Sequence, residues 1–183
     1  SLPAFAQPKD TALPHWLQLM LDSLPALLWA GLIFTIPLTL LSFVLGLALG
    51  LLTAITRLFA ARPFVLFARF YVWIFRGAPA LLQLMIWFNL ALIFPTMGIP
   101  GLFEFRTVDI MTPFVAAMLG LGISQGAYTS EVVRSGLLSV DSGQYEAARS
   151  IGMTQMMMLR RIVLPQAMRV MVPPIGNEVI GMV

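Results

Sequence analysis

Cysteine is absent from the 183 residues, so disulfide frameworks, thiolate nucleophiles and cysteine-based metal sites are excluded together. Lysine occurs once, at Lys9, and is followed by aspartate. A Walker A loop needs Gly-Lys-Ser/Thr, so this chain is not expected to be an ATPase or another enzyme. The one histidine, His15, has no metal-ligand partner at helical spacing and reads as an interfacial residue. Charge of either sign is scarce: 10% of the residues are charged and 59% are hydrophobic, with mean hydropathy +0.90. Soluble domains hold about 45–50% apolar residues, so composition makes this a polytopic membrane protein, and its long uncharged runs are read as helices of an all-α fold. The net charge of +3 comes from basic residues that are all arginine except Lys9. They fall between apolar runs, so the excess reports topology and not a nucleic-acid partner.

Residues 1–28 lack the basic stretch and short apolar core of a secretory signal, although "AFA" before Gln7 resembles a cleavage site. Residues 1–30 are read as an extracytoplasmic segment. In it "HWLQLMLDSLPALLWA" spaces Leu17, Met20, Leu21, Leu24 and Leu28 as an interfacial helix between Trp16 and Trp29. Residues 31–56, uncharged, suit a first span, since a bilayer core of about 30 Å takes about 20 helical residues. Arg57, Arg62, Arg69 and Arg76 follow without an acid, which puts this stretch in the cytoplasm and the N-terminus outside. A second span is expected over residues 78–94, closed by Pro95, Gly98, Pro100 and Gly101 in an external turn with Glu104, Arg106 and Asp109. Residues 110–130 make a third span, whose Gly120, Gly122 and Gly126 admit a close neighbour. Arginines then dominate again from Arg134 to Arg169, returning the chain to the cytoplasm. Residues 170–183 are too few to cross at about 1.5 Å per residue, so a fourth span is expected to be cut short.

Between the third and fourth spans lies "QYEAARSIGMTQMMMLRRIVLPQ". Asp141 or Ser142 caps a short helix, Glu146 sits in its first turn, and Gly152 suits a left-handed C-terminal position. An isolated helix shorter than about 12–15 residues is marginal in water, so this one needs a surface to dock on. Ala147, Ala148 and Ile151 offer a shallow apolar face with Glu146 and Arg149 at its margin. Thr154 caps a second helix that Pro165 is expected to kink or end.

The spacing Glu146-Ala147-Ala148, three residues, Gly152, nine residues, Ile162, one residue, Leu164-Pro165 resembles, at every specified position, the EAA loop of permease subunits in binding-protein-dependent ABC importers. "FRGAPALLQL", "GAYTSEVVRSGLLSVDSGQYEAA" and "VLPQAMRVMVPPIGNE" resemble the polar amino-acid uptake branch, and the likeness runs from about Gly31 onward. It implies a family core of about five transmembrane helices with the N-terminus outside, in agreement with the charge pattern. It further implies a transmembrane domain over residues 31–183, incomplete at its C-terminal end, with a cytoplasmic coupling loop at 141–165. In such permeases the short helix seats in a cytoplasmic ATPase. Gln144, Glu146, Ala147, Ala148, Arg149, Gly152, Ile162, Leu164 and Pro165 would then carry the coupling. Two ATPase subunits holding ATP and Mg, a second permease subunit and an extracytoplasmic amino-acid-binding protein are the implied partners. The bacterial inner membrane, crossed several times, is the implied location, and no cofactor is expected on the chain itself.

Gln83, Asn89 and Glu178 are candidates for a substrate pathway, because polar groups within spans are costly. For Gln83 and Asn89, six apart and on different helix faces, hydrogen bonding between helices is the plainer alternative. Glu178 reads equally as pathway lining or as a cytoplasmic-end residue. Glu131 is expected at the cytoplasmic end, paired with Arg134, while Arg76 is a snorkelling anchor or a gate contact. The run Met156-Met157-Met158 points three ways round a helix, which favours packing over a soft-metal site. A secondary transporter or channel would explain the spans alone, and a membrane scaffold would not need the cytoplasmic motif. Ionisable relays or an inverted repeat would mark a secondary transporter, and neither is visible.

Overall fold

A computed structural model describes residues 14–99 and 103–181. Residues 1–13, and Pro100 and Gly101 of the expected external turn, lie outside the described residues. The chain divides into two compact units at the Pro37–Leu38 junction.

In the first unit, α1 (His15–Ala30) runs into a π turn at Gly31–Thr35. No described residue of either element is buried. The π turn precedes Pro37, whose missing N–H interrupts regular helical bonding, and one wider turn absorbs the mismatch. Helical backbone therefore continues into α2 (Ile36–Phe59), and His15–Phe59 counts as one helix of 45 residues.

The second unit is organised around α7 (Pro113–Leu138), which starts where Thr112 accepts a hydrogen bond from the Val115 N–H with Pro113 in the first turn. The buried stripe of α2 is Thr39, Ser42, Gly46, Gly50, Thr53 and Ala54. A Cβ on Gly46 would lie 2.8 Å from the Gln125 Cβ, and one on Gly50 would lie 2.7 Å from the Thr129 Cβ. These glycines let the two helices meet at backbone distance. Ser42 Oγ donates to the Met118 carbonyl across the same contact.

The cytoplasmic stretch expected after Arg57 forms a further helix, α3 (Arg62–Gly77), which packs on α7 through Ala68 and Val72. Tyr71 Oη donates to the Ile123 carbonyl at 2.5 Å. Pro63 in the first turn starts α3, and Pro79 stops it by forcing Ala78 into an extended conformation. The following α4 (Ala80–Phe88) departs at 102°. The bend lies at the start of the expected second span, which is interrupted once, at Asn89, where α4 gives way to a single turn, α5 (Leu90–Ile93).

Residues expected only to turn include two antiparallel strands, β1 (Thr96–Ile99) and β2 (Phe103–Arg106), with Gly98 opposite Glu104. Gly98 has φ +143°, and a Cβ there would run into the Phe103 carbonyl. The alternation Phe-Glu-Phe-Arg is a strand pattern, and its two phenylalanines stack at 6.4 Å. The hairpin qualifies the all-α expectation locally; the rest is helical. Thr107, buried in the short α6 (Thr107–Ile110), donates from its hydroxyl to the Phe94 carbonyl and from its N–H to Pro95, closing the excursion before α7.

After α7 come α8 (Ser142–Ser150), α9 (Gln155–Met158), a π turn at Leu159–Val163 and α10 (Leu164–Gly181). Their shared core holds Ala54, Val133, Val140, Ala148, Met158, Val163, Ala167 and Met171. Among the described residues only His15–Phe59 is, as a single helix, long and apolar enough to cross a membrane; α3 with α4 passes the same test as a bent pair. The glycines, serines and Gln125 of α7 dilute its apolarity.

Because Gly50 faces the Thr129 Cβ and the Ser130 backbone nitrogen, Gly50→Val should destabilise the protein by about 1–3 kcal/mol through overpacking. Gly176→Ala, with no atom within 4 Å of the added Cβ, should leave stability unchanged or slightly higher. Thermal unfolding of the detergent-solubilised protein checks the pair, and equal melting of both variants would contradict the close approach.

Candidate coupling site

The short helix α8 is fixed at both ends by its own sequence. Asp141 accepts a hydrogen bond from the Gly143 N–H at 2.6 Å at the start. At the finish Gly152 has φ +77°, and its N–H donates to the Arg149 carbonyl while the Met153 N–H donates to Ala148. That pair of bonds is a Schellman closure, which needs a residue at positive φ. No atom lies within 4 Å of a Cβ built on Gly152, so its requirement is conformational and not steric.

One side of α8 faces the protein. Ala148 is 1% exposed inside the shared core, and Tyr145 Oη donates to the Leu137 carbonyl at the end of α7. Gln144, Glu146, Ala147 and Arg149 are exposed, and Ile151 is 74% exposed. This corrects the expectation that Ala147, Ala148 and Ile151 share one docking face: Ala148 anchors the helix inward, and Ala147 and Ile151 look out. A further link, Gln166 Nε2 to Gln144 Oε1 at 3.4 Å, ties α8 to α10.

Thr154 caps α9 as expected, accepting from the Met157 N–H. Of the three methionines, Met158 is buried and Met156 is 71% exposed, so they do not converge. Among the described residues there is no group of three His, Asp or Glu side chains placed to hold a metal. Pro165 does not end the helix. The π turn at Leu159–Val163 lies just before it and takes up the hydrogen bond that proline cannot donate, so α10 continues. Ile162 is half-buried against the core, whereas Leu164 and Pro165 are exposed.

Glu131 is the acid the sequence undervalued. It meets Arg134 at 3.0 Å, as expected, and also Arg57 of α2 at 2.6 Å and Arg76 of α3 at 3.9 Å. Arg76 lies over the Tyr128 ring at 5.3 Å from its centroid. The two added arginines are far away in sequence, and only the packing of α2 and α3 on α7 brings them in. Glu178, near the end of α10, is held against the middle of α7. Its Oε2 accepts from Gln125 Nε2 at 2.6 Å and Thr129 Oγ1 at 2.9 Å.

Gln83 is buried, and its amide donates to the Phe75 and Ala78 carbonyls at 2.9 and 2.8 Å, stapling the α3–α4 bend. Its Oε1 has no partner among the described residues. Asn89 donates to the Met85 carbonyl of its own helix, at the break before α5, and not to a neighbouring helix.

A helical, apolar chain that holds a short, self-capped helix against its core by one alanine, with that helix's polar side outward, has the build of a membrane component of transport machinery. The chain belongs to the family of binding-protein-dependent transport system inner membrane components, whose family model matches residues 46–183. It is 42% identical over 149 residues to the arginine transport system permease protein ArgU of Corynebacterium glutamicum, covering 81% of this chain and 47% of that one. It is 41% identical over 173 residues to the L-cystine transport system permease protein TcyB of Bacillus subtilis, covering 94% and 68% respectively. The chain therefore spans about half of the first relative and two thirds of the second. A crystal structure of an amino acid ABC transporter with histidines shares its fold, with TM-score 0.73 and 36% identity over 90% of this chain and 71% of that one.

Glu131→Gln should cost about 1.5–3 kcal/mol, the usual worth of hydrogen bonds to a charged group, because Arg57 loses its counter-charge where its side chain is 14% exposed. Thermal unfolding in detergent measures the loss, and an unchanged melting temperature would show that the cluster is solvated.

Proposed function

We propose that the chain is the permease part of an ATP-driven importer that moves a polar amino acid, or a close derivative, across the bacterial inner membrane. The reading rests on one observation above the others: an EAA-spaced helix, α8, rigidly capped and exposing Gln144, Glu146, Ala147 and Arg149. The transport of arginine by ArgU and of L-cystine by TcyB supports the substrate class. In this reading the membrane is crossed several times, with the N-terminus outside and residues 141–165 in the cytoplasm, as the arginine distribution favours. Residues 1–30 are then the extracytoplasmic segment and 31–183 the transmembrane domain. Two ATPase subunits bind ATP and Mg, a second permease subunit completes the path, and an extracytoplasmic binding protein delivers the substrate. The chain carries no Walker A lysine and performs no hydrolysis itself.

The mechanism is alternating access. ATP shifts the transporter between states only by its differential affinity for them, so the partner's closure must reach the bilayer through a rigid part. Closure pushes on Glu146, Ala147 and Arg149, and the cap at Gly152 keeps α8 from unwinding under that load. Ala148, Tyr145 and the Gln144–Gln166 link pass the displacement to α7 and α10. Ile162, Leu164 and Pro165 lie on the return path into the bilayer. Further along α10, Glu178 with Gln125 and Thr129 forms a polar station for a substrate ammonium group, and Gln83 Oε1, without a partner among the described residues, and the Asn89 amide are secondary candidates.

Glu146→Lys and Gly152→Asp should each abolish stimulated ATP hydrolysis and uptake by the reconstituted transporter while the chain still inserts and assembles. Unaltered uptake by both variants, or uptake without any ATPase subunit as in a secondary transporter, would overturn the reading. Glu178→Gln should lower uptake roughly tenfold or more, the equivalent of losing about 1.5–3 kcal/mol of a charged hydrogen bond.

A further inference from the structure

The helix α3 has a surface that neither the coupling site nor the substrate path uses. Arg62, Arg69 and Arg76 are spaced seven apart and so form a seam along one side. No acidic residue occurs in α3. On one flank of the seam the helix packs against the protein through Ala68 and Val72. On the other flank it exposes Leu66 (70%), Phe70 (54%) and Trp73 (71%), continuing to Phe67 (76%). Arg76 is already engaged by Glu131 and Tyr128. Arg62 and Arg69 have no ion-pair partner among the described residues, and together with Ala60, Val65 and Leu66 they line a concavity of about 420 Å³.

Two unpaired guanidinium groups beside a hollow make a fork for an anion with several oxygens, since arginine binds phosphate bidentately. The adjoining aromatic and aliphatic surface fits an acyl chain. The 102° bend at Ala78–Pro79 turns α3 away from the direction of α4, as expected of a helix lying along a bilayer surface while its successor enters it. We propose that α3 is an interfacial helix that binds an anionic phospholipid of the cytoplasmic leaflet, with its phosphate on Arg62 and Arg69 and a chain over Leu66, Phe70 and Trp73. The orientation rests on the importer reading, which places these arginines in the cytoplasm. The lipid selectivity goes beyond that reading.

Arg76, at the far end of the same helix, touches Glu131, which also holds Arg57 and Arg134. A lipid fixed on Arg62 and Arg69 therefore steadies α3 against the ion cluster joining α2 and α7. Transport activity should accordingly depend on anionic lipid, and not only lipid retention.

The test uses the full transporter, purified with its partner subunits. Phosphatidylglycerol is added to detergent samples for native mass spectrometry, and ATP hydrolysis is compared in vesicles of pure phosphatidylcholine and of phosphatidylcholine with phosphatidylglycerol. Arg62→Gln with Arg69→Gln should weaken phosphatidylglycerol retention by about fivefold per arginine, roughly 25-fold for the pair, and remove most of the stimulation by that lipid. Arg106→Gln, on β2, should change neither. Equal retention by the double variant and the wild type would overturn the proposal. So would an equal loss of hydrolysis by the double variant in pure phosphatidylcholine, or loss of the ATPase subunit on purification, since either would assign the arginines to folding or to a protein partner. Selective retention alongside a wild-type complex that hydrolyses no ATP in any vesicle would leave the lipid site standing and sink the importer reading instead.

Discussion

The contact between α2 and α7 at backbone distance is the constraint on which the rest depends. Within a bilayer, lipid tails are as apolar as leucine, so helices associate through close packing and hydrogen bonds and gain little from hydrophobic burial. Gly46 and Gly50 supply the closeness, and neither has room for a Cβ against Gln125 and Thr129. The same face of α7 then serves other purposes. Gln125 and Thr129, pressed by the glycines of α2, are the two groups that hold the Glu178 carboxylate. Arg57 reaches Glu131 only because the end of α2 lies beside α7. A wider gap between these helices would take apart both polar clusters at once.

The short helix α8 inherits that rigidity through a small area. Its inward anchors are Ala148 in a core shared with Val163, Met158 and Ala167, and Tyr145 on the last turn of α7. Packed cores transmit displacement because they do not compress. The arrangement separates two demands that the EAA pattern merges in sequence. Of its adjacent alanines, Ala148 is spent on holding the helix and Ala147 stands exposed.

Local features of this site were legible in the sequence. A cap at Asp141 or Ser142, a cap at Thr154 and a left-handed Gly152 follow from backbone chemistry within a few residues; the structure has all three features, with Asp141 as the first cap. Features set by tertiary contact were not. Which alanine faces inward depends on where α7 ends, and Glu131 finds two of its three arginines across long sequence separations. Pro165 reads as a kink or a helix end, and the helix continues through a π turn that no residue pattern announced. In α3 the arginines signal topology more strongly than their seven-residue spacing and the leading Pro63 signal a helix. In β2 the alternation Phe103-Glu104-Phe105-Arg106 was present but short, set among turn residues that dominated the reading.

The absence of cysteine from these 183 residues makes the central claim directly measurable. Single cysteines at Ala147 and at Ala148, in the assembled transporter, can be offered a thiol-reactive cross-linker borne by the ATPase subunit. The account predicts that Ala147→Cys cross-links to that subunit, that ATP changes the yield, and that Ala148→Cys, buried at 1% exposure, does not react. Cross-linking at Ala148 in a folded complex, or none at Ala147 from any part of the ATPase, would contradict it.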